Sequence, residues 1–283
     1  MPARSPGEPT PRTLVWATDI DVLPADRILA RRGEGYLLIR SPGNPGHYWG
    51  NLLLFDEPPA PGDGARWTEA FAREFADEPL ITHRTFAWEG TLGELGAAEE
   101  EFVAAGYLLE RTVGLVASAG ELRAHRRENR DVRVQTLDPA AGADEDLWEQ
   151  VIELQVAGRD ERFEERSQRA HLRSRQEGLR TLFRAGRGAW YVALDEAGEE
   201  VLGSCGIVRA AGRGRFQAVD TAAAHRRRGI CSRLLVEAAR RSGAERLVIC
   251  ADPGYHALGL YESLGFRAAE RVAGVCLEPP AGS

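Results

Sequence analysis

The chain of 283 residues contains no lysine: all 36 basic side chains are arginine, which reads as a coding bias toward GC and leaves no lysine side chain to be acetylated. Cysteine is sparse as well. Cys205, Cys231, Cys250 and Cys276 lie far apart with no C-x-x-C pair, a spacing that argues against a zinc site and for reduced thiols. No apolar run reaches the roughly 18 residues of a membrane span, and the Pro- and Arg-containing start lacks the apolar stretch of a signal peptide. A soluble, cytoplasmic protein is expected. A net charge of −7 and a pI near 5.5 exclude a general nucleic-acid binder, because such affinity needs many basic phosphate contacts. What remains is enough for a core: 43% hydrophobic residues in a length that suits two domains.

The most informative stretch runs from Arg215 to Arg241. Arg215–Asp220 reads as a strand, His225-Arg226-Arg227-Arg228-Gly229 as a basic turn, and Ile230–Arg241 as a helix. At such a turn free backbone N–H groups and the helix dipole favour an anion, and glycine permits close approach. A solvated strand-to-helix connection is the competing reading. Further on, Leu260-Tyr261-Glu262-Ser263-Leu264-Gly265-Phe266 closes a short helix that begins near Tyr255, with Gly265 suited to a left-handed C′ position.

Together the two segments resemble the GNAT superfamily of acyl-CoA-dependent N-acyltransferases, which carries R/Q-x-x-G-x-G/A at its pyrophosphate turn and a pattern near L-Y-E-x-L-G-F at the next helix end. Here the first falls on Arg226, Gly229 and Cys231; cysteine replaces the usual Gly or Ala, and Thr221 stands where proline often follows the strand. The resemblance covers about Val132 to Glu278. It implies an acetyl-CoA co-substrate bound by Ala218, Val219, Thr221, Arg226, Arg227, Arg228, Gly229, Ile230 and Cys231, between strands Arg215–Asp220 and Arg246–Asp252 that splay apart. Tyr261 is then the proton donor to the departing thiolate, since phenols, with a pKa near 10, stay protonated at neutral pH. Core packing is the alternative for this tyrosine. An acidic cluster, Asp160, Glu161, Glu164 and Glu165, and separately Asp220, are candidates for binding the acceptor amine and taking its proton. No metal is implied.

Before the turn, Val132–Leu137 reads as a strand, and Asp144 as the cap of a helix whose Leu147, Trp148, Val151, Ile152 and Leu154 line one face. A helix over Ser167–Arg184 and strands over Trp190–Leu194 and Val201–Arg209 follow, with Gly212-Arg213-Gly214 turning a hairpin. His256 is read as a capping or surface residue, and Cys205 and Cys250 as buried small side chains.

The first half echoes the second. Phe102-Val103-Ala104-Ala105-Gly106-Tyr107 repeats the aromatic, three residues, glycine, aromatic order of Tyr261–Phe266, and each copy precedes a β-like run. Trp49–Asp56, Arg66–Phe75 and Ile81–Trp88 read as strand, helix and strand, with Trp67, Ala70, Phe71 and Phe75 on one helix face. Two unrelated α/β domains sharing this helix end by chance is the other reading. The intervening turn, Glu57 to Ala65, holds three prolines and acidic residues where the second half has arginines. Proline offers no N–H to a phosphate. The expected fold class is therefore α/β (α+β), with two GNAT-like domains, each a mixed, mostly antiparallel sheet flanked by helices with a splayed parallel strand pair. Residues 1–125 form a degenerate domain without a cofactor site, 126–283 the catalytic domain, and Leu122–Val132 the linker. The expected function is transfer of an acetyl group to a primary amine of a small molecule or peptide. A non-catalytic acyl-CoA-binding module and a different acyl donor are the alternatives.

Overall fold

Aromatic side chains at three- and four-residue spacing build the first core. The structure, a computed structural model, describes residues 9–90, 98–125, 127–160 and 164–279. Helix α2 (Asp63–Glu74) turns Trp67, Ala70 and Phe71 inward, as its sequence spacing predicts, and Phe75 just beyond it is buried too. Trp67 stacks on Phe55 at 3.8 Å between ring centres, while Phe86 meets Phe71 edge-on at 5.8 Å. These side chains hold α2 against a sheet in the order β1 (Ile28–Arg32), β2 (Tyr36–Arg40), β3 (Leu52–Phe55), β4 (Arg84–Trp88). The pairings β1–β2 and β2–β3 are antiparallel; β3–β4 is parallel. Helix α1 (Leu14–Asp21) is anchored by Glu89, whose carboxylate accepts the N–H groups of Arg12 and Thr13. Nothing in the sequence reading placed α1, β1 or β2.

The chain separates into two compact units, and a single cut near residue 125 does not divide them. Residues 251–255 and 269–279 pack with the N-terminal unit, while Leu115–Cys250 and His256–Ala268 form the C-terminal unit. The cause is the last strand, β11 (Arg267–Leu277): its residues Gly274–Leu277 pair antiparallel with Ala87–Arg84 and so cover the edge of β4. Before it in sequence come α3 (Glu99–Ala104) and β5 (Leu108–Ala117).

In the C-terminal unit β6 (Arg133–Thr136) leads into α4 (Glu145–Ala157) and α5 (Glu165–Arg184). The sheet then runs through β7 (Gly188–Leu194), β8 (Val201–Ala210) and β9 (Arg213–Thr221), α6 (Ile230–Ser242) crosses over, and β10 (Arg246–Ala251) and α7 (Ala257–Leu264) follow. Strand order is β10-β9-β8-β7-β6, antiparallel except for the parallel β9–β10 pair. Two local readings are corrected. Asp144 precedes α4 with a left-handed φ of 49° and gives the helix no side-chain cap; its carboxylate instead accepts the Asp138 N–H at 2.8 Å. The β8–β9 hairpin turns at Ala211-Gly212, whose φ values of 48° and 75° fit the doubly left-handed turn that matches strand twist.

The helix end seen twice in the sequence is also one structure seen twice. The Phe266 N–H donates to the Tyr261 carbonyl at 3.1 Å and the Tyr107 N–H to that of Phe102 at 3.0 Å, each around a left-handed glycine, Gly265 or Gly106.

His83 gives the N-terminal unit a pH dependence. It is buried, its ring tilted against that of Tyr48 at 4.4 Å, with Nε2 3.1 Å from the Asn51 carbonyl, and burial pushes its pKa down to about 4. Because the folded value lies below the unfolded one, the unfolded chain takes the proton first as pH falls. The neutral ring's contribution is thus complete above about pH 6.5 and fades toward pH 4, by about 3 kcal/mol in all. Urea midpoints measured across this range should fall in the wild type and fall less in His83→Gln.

Candidate active site

Strand β9 changes character at its midpoint. Its pairing with β8 runs from Ala210–Arg213 to Gly206–Gln217 and resumes at Ser204–Asp220, so Ala218 and Val219 together face Cys205. This is a β-bulge, and Ala218 adopts φ 41°, a left-handed value that costs a non-glycine residue about 1–2 kcal/mol. On the opposite side the parallel register joins Arg213, Gly214 and Arg215 to Arg246, Leu247 and Val248, and then stops. Residues 216–221 therefore keep backbone groups on that side without a β10 partner. The strands part where the sequence predicts a splayed pair.

After Thr221 the chain makes a short 3-10 turn, Ala223–His225, and reaches α6 through Arg227 and Gly229, with φ 60° and 79°. None of the amide hydrogens of Arg227, Arg228, Gly229, Ile230 and Cys231 has an acceptor among the described residues. Helix α6 carries no acidic residue in its first turn, and Arg226, Arg227 and Arg228 are exposed. Arg226 is turned back, its Nε donating to the Thr221 carbonyl at 3.2 Å, and Arg228 lies 3.0 Å from His225 Nδ1. An array of donors at the positive end of a 13-residue helix fits a diphosphate.

The reason for glycine at 229 is local. A Cβ there would stand 1.8 Å from the Arg127 carbonyl oxygen, because residues 121–125 and 127–129 run as a strap over this corner. The Asn129 N–H donates to the Gly229 carbonyl at 3.2 Å, the His125 N–H to Ser232 Oγ at 3.0 Å, and the Arg123 N–H to the Leu264 carbonyl at 2.9 Å. A Cβ on Gly265 would meet the Glu121 carbonyl at 3.0 Å. The segment expected to be a linker thus belongs to the C-terminal unit and fits both motif glycines.

The corresponding corner of the N-terminal unit is filled from within. There α2 starts after Gly62, and the Glu101 carboxylate accepts the N–H groups of Gly62 at 2.8 Å and Gly64 at 3.1 Å. A carboxylate of the chain itself holds the donors that α6 leaves open.

Tyr261 is buried on α7, with its ring 6.2 Å from that of Phe266, which in turn meets Phe216 of β9 at 6.0 Å. The helix end and the parting strands so share one aromatic cluster. Asp220, just past the bulge, has its carboxyl pKa raised by burial, against the charges of Arg175 and Arg226. Burial pushes the Cys231 thiol up to about 12, with the Asp220 charge adding to the rise and a hydrogen bond to Thr221 opposing it.

The remaining acidic candidates have structural partners. Glu164 caps α5, accepting the N–H groups of Arg166 and Ser167 at 2.9 and 2.6 Å, and these bonds hold its pKa down. Glu165 pairs with Arg169 at 3.2 Å and Arg159 at 3.4 Å. Glu161 lies outside the described residues. His256 stands at the start of α7 with no side-chain cap bond. Among the described residues no group of side chains could hold a metal, and no helix is long and apolar enough to cross a membrane.

A cleft of about 270 Å³ opens where α4 faces the end of β9, lined among others by Glu153, Leu154, Ala157, Val201, Asp220 and Arg226. The sequence reading missed it, and missed also two residues behind it. Ser204 pairs with Asp220 across β8–β9, and Arg175 bonds Gln217 at 2.8 Å. The four-residue interval between Arg175 and His171, whose pKa burial and the Arg175 charge lower to about 4, was the available signal.

Two substitutions test this account of the two helix starts. Gly229→Ala should destabilise the chain by at least about 1–2 kcal/mol from its φ alone, more if the strap must shift, seen as a lower unfolding midpoint. Glu101→Ala, which strands two donors at α2, should cost about 1–2 kcal/mol by the same measurement.

Residues 186–268 match the family model described as acetyltransferase (GNAT) domain. No curated protein sequence matches the chain. Among solved structures, a functionally unknown conserved protein from Staphylococcus epidermidis superposes with a TM-score of 0.74 at 13% identity, over 90% of this chain and 95% of that one. A GCN5-related N-acetyltransferase from Kribbella flavida gives 0.57 at 15% over 90% of each. A tandem GNAT protein from the clavulanic acid biosynthesis pathway gives 0.55 at 15%, over 98% of this chain and 92% of that one. At these identities the likeness is one of fold, and it extends over both units. The matched segment spans β8, β9, the basic turn, α6 and α7, and on that ground residues 186–268 are a GNAT acetyltransferase domain.

Proposed function

We propose that this chain is an acetyl-CoA-dependent N-acetyltransferase that acylates a primary amine of a small molecule or peptide by direct attack. Its C-terminal unit is catalytic, and its N-terminal unit keeps the fold without a coenzyme site. The observation that carries this reading is the row of amides from Arg227 to Cys231 with no acceptor among the described residues, beside the open edge of β9. Acetyl-CoA supplies an acyl thioester. Those amides, with Arg226, Arg227 and Arg228, would hold its diphosphate, and backbone groups of Ala218, Val219 and Thr221 on the parted strand would meet its amide-bearing arm.

The chain's own residues then manage protons. A protonated amine has no lone pair, so Asp220, whose raised pKa makes it a better proton acceptor, takes the ammonium proton directly or through water. An N–H at the bulge stabilises negative charge growing on the carbonyl oxygen. As the C–N bond forms and the C–S bond breaks, the nitrogen sheds its second proton to water, and the Tyr261 hydroxyl gives its proton to sulfur and is reprotonated from solvent. Of the acidic residues, Asp220 suits the acceptor best, since the carboxylates of Glu164 and Glu165 are held by their cap and ion pairs.

A thiol-release assay with acetyl-CoA across a panel of amines tests the function. Turnover on at least one primary amine is expected; coenzyme binding with no release on any acceptor would favour a binding module instead. Tyr261→Phe should lower kcat by about a hundredfold or more and leave acetyl-CoA affinity within about twofold. An unchanged kcat would remove Tyr261 from the mechanism.

A further inference from the structure

The cleft beside α4 has two features that its lining alone does not explain. Asp220 is half-buried at its wall, yet its carboxylate has no hydrogen-bond partner among the described residues. Ser204, opposite Asp220 in the β8–β9 register and fully buried, has a hydroxyl that likewise finds none among the described residues. Groups so placed normally find partners within a fold, and an orphan pair on one strand face is what a site for an external donor requires. Around them the cleft divides by character. Glu153 and Glu200 add negative charge, with Glu153 ion-paired to Arg169, while Leu154, Ala157 and Val201 provide an apolar strip. Thr221 and Arg226 line its end toward the basic turn, where acceptor and coenzyme would adjoin, and the charges of Arg175 and Arg226 act on Asp220.

We propose that this cleft is the acceptor subsite and that it takes a small primary alkyl- or arylalkylammonium ion, with nitrogen at Asp220 and carbon chain along Leu154, Ala157 and Val201, rather than an amine of a folded protein or peptide. The cleft, about 270 Å³ and open to solvent beside Glu153 and Ala157, has room for a short carbon chain along this strip. An ammonium donates three hydrogen bonds, enough for both Asp220 oxygens and a neighbouring oxygen. The proposal rests on the acetyl-transfer reading for the fate of the amine, but not for its binding.

Calorimetry on the full chain without coenzyme tests it directly, using phenethylamine and n-butylamine at neutral pH against n-butanol and a tetrapeptide with a free N-terminus. Both amines should bind, and the alcohol and the peptide should bind far more weakly. Asp220→Asn should weaken the amines by about thirtyfold or more. Ala157→Phe, at an exposed helix position where added bulk fills the cleft without disturbing the core, should weaken phenethylamine most. Thermal unfolding of each variant checks that it is folded. Failure of both amines to bind the wild type, or unchanged affinities in folded Ala157→Phe and Asp220→Asn, would overturn the proposal. Acetyl transfer to an amine whose KM ignores Ala157→Phe would overturn it while leaving the enzyme reading intact. Amine binding that both variants abolish, without any thiol release from acetyl-CoA, would sustain it while removing that reading.

Discussion

Everything at the candidate site depends on how α6 begins. A helix start leaves N–H groups without internal acceptors, and here the usual remedies are missing: no side-chain cap, and no acidic residue in the first turn. The strap, residues 121–125 and 127–129, takes the carbonyl of Gly229 and crowds its α-carbon, so the turn is held in a left-handed conformation. Rigid backbone donors of this kind need no reorganisation when an anion arrives, which is why they suit a diphosphate better than flexible arginine side chains alone.

The two units solve the same problem in opposite ways. Both carry a parallel strand pair joined by a helix, and both end a following helix with the same glycine-centred hydrogen bonds. In the N-terminal unit Glu101 satisfies Gly62 and Gly64 internally. One helix start has its donors satisfied within the chain, and the other leaves them unmet. Unmet donors lower local stability, a familiar exchange at binding sites.

Much of this could be read from residue order because the decisive signals are local. Gly229 and Gly265 occupy positive φ, and a turn that needs glycine announces itself in any sequence. The stripe of Trp67, Ala70 and Phe71 repeats at helical spacing and is buried. What stayed hidden depends on register and on distant partners. With a bulge at Ala218–Val219, Asp220 comes to lie opposite Ser204; one residue fewer would turn it to the other face of the sheet. Glu164 and Glu165 look like a free acidic patch until α5 and its arginines are placed around them. β2, buried through Tyr36–Ile39, shows no alternation to mark it as a strand.

The course of β11 carries a consequence for how the chain is made. Thr85 of β4 touches Cys276 of β11, 191 positions later. Until those residues leave the ribosome, the N-terminal sheet carries a bare margin at β4, and such margins recruit stray strands. Nascent chains of this protein should therefore linger in a chaperone-dependent state well after their first hundred residues have emerged, closing only when translation nears β11.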